Sequence, residues 1–282
     1  KKYFNNCDIN DFSRLNHLIS EFEPDYVFHL AAATGIGEIP MEEFKTNIKG
    51  VSNLVQALEN LSNLKKAIFA SSLLVCKVGY IPQSYDEYCP TTNYGISKMK
   101  GELIVKASTD ALPWVIVRPI SIWGPWNIEP YSQFFRAIIS RKYFHIGNGN
   151  YYRSLGYVGN TVRQLISLAE CEDKDSFKKI LYLADPKPLS LKTLSEEILR
   201  QYNNKSSFIP SIPIYIAKIF AFIGDIYWYF TSKTPMISSF RLNNITTEYI
   251  FNLDDISKFV NRPLLDWKYG VSETLKWMKL KL

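Results

Sequence analysis

Cysteine and histidine are scarce. The 282 residues hold four cysteines, Cys7, Cys76, Cys89 and Cys171, and three histidines, His17, His29 and His145. No C-x-x-C pair occurs and the histidines are scattered, so no metal site is expected from ligand spacing. The cysteines read as reduced thiols, and no signal-peptide pattern is visible in these residues, so the expected compartment is the cytoplasm. Charge is not concentrated either: the net +6 comes without any run of five or six like charges. Nucleic acid is therefore not an expected partner, whereas a mild basic excess suits an anionic diphosphate ligand. Internal repeats and low-complexity segments are absent.

Long hydrophobic runs are also few. The one that stands out, Ile212 to Phe230, is interrupted by Pro213, Lys218, Gly224 and Asp225. Although it approaches the ~20 residues that span a bilayer, a proline and two charges inside it make spanning costly. The favoured expectation is a buried or dimer-facing helix, with a membrane-surface helix as the less favoured reading.

What is present is enough apolar residue, 46%, for a full core in one large or two modest domains. Tyr26-Val27-Phe28-His29-Leu30, Lys66 to Ser71 and Trp114 to Val117 read as buried strands. The stripe Phe44, Ile48, Val51, Leu54, Val55, Leu58 predicts a helix within Met41 to Leu61, and the Tyr94 segment onward reads as another. This alternation implies an α/β fold with a parallel sheet, in which ligands sit at the carboxyl ends of strands. Further on, Phe144 to Gly149 carries turn signals, while Val162 to Ala169 and Leu189 to Tyr202 predict helices, the latter with Ser190 as N-cap.

The chemistry centres on Asn93-Tyr94-Gly95-Ile96-Ser97-Lys98 and the upstream doublet Ser71-Ser72. Positions four apart share a helix face, so Tyr94 and Lys98 can converge. A nearby ammonium is expected to lower the phenol's pKa from its usual ~10, making Tyr94 an acid or base, with Ser72 holding a substrate oxygen.

These residues and their order resemble the extended short-chain dehydrogenase/reductase family, in its NAD-dependent epimerase/dehydratase branch acting on nucleotide sugars. The resemblance runs through Cys7-Asp8-Ile9-Asn10-Asp11, Phe28 to Ala32, Thr46-Asn47-Ile48-Lys49-Gly50, Ala70-Ser71-Ser72, Tyr94/Lys98, Arg118-Pro119 with Gly124-Pro125, and Tyr152-Arg153 to Val158. It implies a Rossmann-like doubly wound sheet over residues 1–126, with 155–175 returning to it, and a smaller substrate lobe mainly within 127–282. It also implies NAD or NADP as cofactor, met by Asp8, Ile9, Leu30, Ala31, Ala32, Asn47, Ser71, Tyr94, Lys98 and Pro119. Ser72, Tyr94 and Lys98 become the catalytic trio. Thr34, Ser72, Ser121, Arg153 and Arg241 become substrate contacts, Arg153 with the diphosphate, and Gly35 and Gly37 a loop beside the substrate. A homodimer through the helices at Met41 to Leu61 and Tyr94 to Ala107 is expected from the same resemblance.

The family's opening strand, glycine-rich turn and helix have no match here. The expectations are a piece of a longer gene product, a chain whose front has been left out, or a shortened relative without activity. Dinucleotide binding by these residues alone is expected to be weak or absent. Leu73-Leu74 occupy the positions where dehydrating relatives carry an Asp-Glu pair, so elimination of water is not expected. Cys76, Lys77, Ser121 and Asn160 also depart from the family pattern and leave the sugar open. The leading function is a nucleotide-sugar epimerase or 4-keto reductase. The alternatives are a steroid-type or other hydroxy/keto dehydrogenase, favoured by Ile212 to Phe230, and an inactive interaction protein on the same scaffold.

Overall fold

The structure is a computed structural model that describes residues 4–35, 39–203, 208–231 and 238–279. In chain order come α1 (Phe12–Phe22), β1 (Tyr26–His29), α2 (Val51–Leu58), β2 (Lys66–Ala70), α3 (Asn93–Lys106) and β3 (Trp114–Pro119). There follow α4 (Gln133–Ile139), α5 (Val158–Glu170), β4 (Lys179–Leu183), α6 (Leu191–Asn203) and α7 (Ile214–Thr231). The last are α8 (Ser239–Thr246), α9 (Asp254–Ser257) and α10 (Trp267–Lys279). Two compact units divide the chain. The first takes Lys1–Ile120, Val162–Leu183 and Asn252–Pro263; the second takes Ser121–Thr161, Ala184–Phe251 and Leu264–Leu282.

The first unit is a four-stranded parallel sheet in the order β1-β2-β3-β4, with Phe28 opposite Ile68, Phe69 opposite Ile116 and Val117 opposite Leu181. Successive side chains of a strand point to opposite faces, and both faces of this sheet are apolar. Ala67, Phe69, Trp114 and Ile116 pack with Val51, Leu54, Val55 and Leu58 of α2 on one side. On the other, Ile68, Val115, Val117 and Leu181 meet Leu165 and Leu168 of α5 and Ile256 of α9. Burial on both faces is what makes β2 and β3 read as unbroken apolar runs. This is the doubly wound Rossmann-like architecture.

β1 differs from its expected burial. It lies at the sheet edge, and Tyr26 and Phe28 are both 41% exposed while His29 is buried. The apolar run is real, but Val27 packs toward α2 while Tyr26 and Phe28 stay partly in solvent, the Lys65 ammonium lying over the Tyr26 ring.

The helical stretch before β2 is not uniform. A 3₁₀ turn at Met41–Phe44 passes into a π turn at Thr46–Gly50 before α2 begins. A π turn widens the helix locally, and such turns frequently mark functional positions; this one presents Asn47.

The second unit has its own core of Trp123, Phe135, Leu155, Leu194, Ile198 and Val271. Short strands at Tyr152–Arg153 and Leu189–Ser190 pair antiparallel there, and the Ser190 hydroxyl accepts from the Thr193 amide as the N-cap of α6. Asn160 ties three segments: it donates to Asp185 (2.9 Å) and to the Leu265 carbonyl (2.9 Å) and accepts from the Leu265 amide (2.7 Å). The turn after Ile146 uses Gly147 and Gly149, both at positive φ. No helix among the described residues is long and apolar enough to cross a membrane.

Candidate active site

The site in the first unit begins with the start of α3. Thr92 caps this helix by accepting from the Gly95 amide (3.1 Å), which sets Tyr94 in the first turn and Lys98 one turn later. Ser72 follows β2 and caps a tight turn, its Oγ accepting from the Leu74 amide (3.1 Å). The two segments press together at Gly95, where a Cβ would lie 2.2 Å from the Leu74 carbonyl oxygen. Only glycine lets the helix start sit this close, and the contact brings the Tyr94 phenol to the Ser72 hydroxyl.

The electrostatics correct one expectation. The Tyr94 phenol is held above its usual pKa by burial, with the Ser72 hydroxyl pulling the other way. Lys98 is not among the groups that lower it here; its ammonium donates to the Ala70 carbonyl at 2.6 Å. Burial brings Lys98 itself down to about 8, opposed by the nearby Glu102 carboxylate. Tyr94 is thus a protonated phenol at neutral pH.

Asn47 is buried and fully engaged. Its Oδ1 accepts from the Ala33 amide (2.8 Å), and its Nδ2 donates to the Ala33 carbonyl (2.9 Å) and to Ser97 Oγ (2.9 Å). Ser97 in turn donates to the Tyr94 carbonyl (2.7 Å), so the loop after β1 is wired to the first turn of α3. Arg118 clamps the far side of that helix. Its guanidinium donates to both Glu102 carboxylate oxygens (2.9 and 2.7 Å) and to the Tyr182 hydroxyl (3.1 Å), all buried, and to the carbonyl of half-buried Tyr85 (2.8 Å).

Beneath Lys98 lies a cavity of about 20 Å³ lined by His29, Asn47, Ser71 and Glu102 among others. That volume suits about one water. Two polar atoms buried there, His29 Nε2 and Ser71 Oγ, have no partner. Burial and the Lys98 charge bring the imidazole down to about 4, so it is neutral at physiological pH. A neutral imidazole, a hydroxyl and an ammonium at the carboxyl edge of β1 and β2 offer both donors and acceptors. They are groups that could hydrogen-bond the hydroxyls of a ribose.

The other expected contacts are spread more widely. Asp8 is exposed, and its carboxylate accepts from the Asn10 amide and side chain (2.9 Å each) in an Asx turn; Ile9 packs on Gly50. Leu30, Ala31 and Thr34 are exposed and Ala32 is half-buried. Gly35 is described, whereas Gly37 lies outside the described residues. Pro119 ends β3 opposite Leu183. In the second unit, Ser121 stands at positive φ with its hydroxyl 3.0 Å from that of Tyr249. Arg153 is buried: one terminal nitrogen donates to the Asn244, Ile245 and Thr247 carbonyls at the end of α8, while Nε has no partner. Arg241 lies in the first turn of the same helix, exposed.

Gly95, Ser97 and Glu102 were not singled out from sequence. Gly95 and Ser97 were visible inside the Y-x-x-x-K segment. Glu102 follows Lys98 by one more helical turn, the spacing that should have drawn attention to it.

Comparison with known proteins decides the family. Residues 1–181 match the profile of the NAD dependent epimerase/dehydratase family. The chain belongs to this family. As a member of the NAD dependent epimerase/dehydratase family it is an enzyme of the short-chain dehydrogenase type, and the family's cofactor is NAD. It is 26% identical over 280 residues to the N-acetyl-alpha-D-glucosaminyl-diphospho-ditrans,octacis-undecaprenol 4-epimerase of Escherichia coli O157:H7, across 96% of this chain and 82% of that protein. Over 140 residues it is 34% identical to the UDP-glucose 4-epimerase of Mycoplasma genitalium, across 45% of this chain and 40% of that protein. The UDP-glucuronic acid 4-epimerase of Bacillus cereus, solved with UDP-glucuronic acid and NAD, superposes with a TM-score of 0.70 at 18% identity, covering 98% of this chain and 81% of that one.

Proposed function

We propose that this enzyme inverts or reduces C4 of a sugar carried on a diphosphate, using Ser72, Tyr94 and Lys98. The observation that carries the reading is the meeting of a half-buried phenol and a serine hydroxyl one helical turn from a buried lysine. Bound NAD supplies the acceptor and donor of hydride. Tyr94 exchanges a proton with the C4 oxygen as the carbinol becomes a ketone and back again. Ser72, already fixed by the Leu74 amide, donates its own hydrogen to that oxygen and orients it. Lys98, with the unpartnered His29 Nε2 and Ser71 Oγ beside it, would hold the ribose end of the cofactor, while Asn47 fixes the loop after β1 against α3. Leu73 and Leu74 carry no proton, which speaks against dehydration.

Proton NMR of C4 epimers of UDP-glucose and UDP-N-acetylglucosamine, with NAD added, tests this. Interconversion is expected, and Tyr94→Phe should lower turnover by about 10²- to 10⁴-fold with the fold intact. Equal turnover in that variant would remove Tyr94 from the chemistry.

A second reading places the same sugar on a polyprenyl diphosphate instead of a nucleotide. It draws on the outward apolar side chains of α7, and the Escherichia coli relative is named for such a substrate. Offering the sugar on both carriers in the same assay separates the two.

A further inference from the structure

α7 packs by its smallest residues. Ala217, Ala221 and Gly224 form the buried stripe, set against Leu242 and Ile245 of α8 and against Ile146. Of the expected buried or dimer-facing helix, the buried form fails on this inversion and the dimer-facing form is untouched: eleven of its eighteen residues are large apolar side chains facing outward, Phe222 at 63% and Tyr229 and Phe230 at 78% exposure. With roughly 200 Å² per large side chain, about half exposed, they offer on the order of 1,000 Å². The largest apolar patch on an ordinary monomer covers about 300–600 Å².

The shape of this surface selects its occupant. At the helical period, Tyr215, Phe222 and Tyr229 make one ridge, Ile219 and Ile226 the central one, and Phe220, Ile223 and Tyr227 the opposite flank. The headgroup layer of a bilayer encloses all three. The polar residues agree with that surrounding. Asp225 is turned to the protein, its carboxylate accepting from the Ser239 amide (3.0 and 3.3 Å) beside α8. Lys218 lies seven residues earlier, on the same flank as Asp225, where its long stem can carry the ammonium out to lipid phosphates. Tyr227, Trp228 and Tyr229 gather the ring types that favour the membrane–water boundary at one end.

We propose that α7 lies in the headgroup region of a lipid bilayer and docks the enzyme on an anionic membrane surface without crossing it. The proposal deepens the reading of a lipid-carried substrate given above, yet its test involves no turnover. The full chain is mixed with vesicles of equal parts phosphatidylcholine and phosphatidylglycerol and floated through a sucrose gradient. It should rise with the vesicles, and the triple variant Ile219→Glu, Phe222→Glu, Ile226→Glu should stay at the bottom, its partitioning lowered more than about tenfold, the equivalent of roughly 1.4 kcal/mol. Because the three positions face outward, the variant should keep the wild-type circular dichroism and melting midpoint. Wild-type chain left at the bottom, or a variant that floats equally, overturns the proposal. So does a wild-type dimer in sedimentation velocity that the variant breaks while vesicles capture neither protein. Tyr94→Phe should float like wild type, so loss of docking and loss of catalysis are read independently.

Discussion

A single missing carbon at Gly95 holds the proposed site together, and its replacement sets two effects against each other. Alanine is a better helix former than glycine by roughly 1 kcal/mol, so on propensity alone Gly95→Ala would stabilise α3. The added Cβ, however, would stand 2.2 Å from a backbone oxygen, that of Leu74, which has no flexible end to move aside. Forcing the helix off that segment should cost about 1–3 kcal/mol, and the clash wins. Urea unfolding should show net destabilisation, and turnover should fall as Tyr94 is drawn from Ser72. A variant as stable as wild type would mean that the Ser72–Leu74 turn yields freely.

At the scale of elements, the position of α3 depends on the buried Arg118–Glu102 pair. Removing one partner strands the other charge in the interior, so Glu102→Ala should cost about 3–5 kcal/mol in denaturant unfolding. Taking out both, as Glu102→Ala with Arg118→Met, should cost less than Glu102→Ala alone. A double variant that loses as much as the sum of the single losses would mean that the two groups act separately. This pair also marks what the sequence could show. β2 and β3 were legible because both sheet faces bury apolar residues, and α3 because the Y-x-x-x-K spacing marks one helix face; its cap, Thr92, came only with the structure. The buried partner of Arg118 was not, since burial of a glutamate depends on what β3 and α3 bring to it from sixteen residues apart. β1, and the buried form of the expectation for α7, were misjudged for a related reason: hydropathy reports that a run is apolar but not which side is covered. In α7 the inversion was nonetheless written in the small residues at 217, 221 and 224.

Across the whole molecule, two buried groups, one in each unit, should bend stability in opposite directions over the same pH range. His29 in the first unit falls from 6.5 to about 4 through burial and the Lys98 charge. Between those values the unfolded chain holds a proton that the folded chain has shed, so stability rises with pH. Asp185 in the second unit goes from 3.8 up to about 6 through burial, against the hydrogen bonds from Asn160 and the Tyr157 amide. Here the folded chain holds the extra proton between about 4 and 6, and stability falls as pH rises. At 1.36 kcal/mol for each pKa unit each effect reaches about 3 kcal/mol, so in the intact protein they largely cancel. His29→Asn should therefore expose the downward slope of Asp185, and Asp185→Asn the upward slope of His29, each seen as the difference from wild type in urea unfolding between pH 4 and 6.5. Two variants that both keep the wild-type slope would show that neither group is held in its buried state.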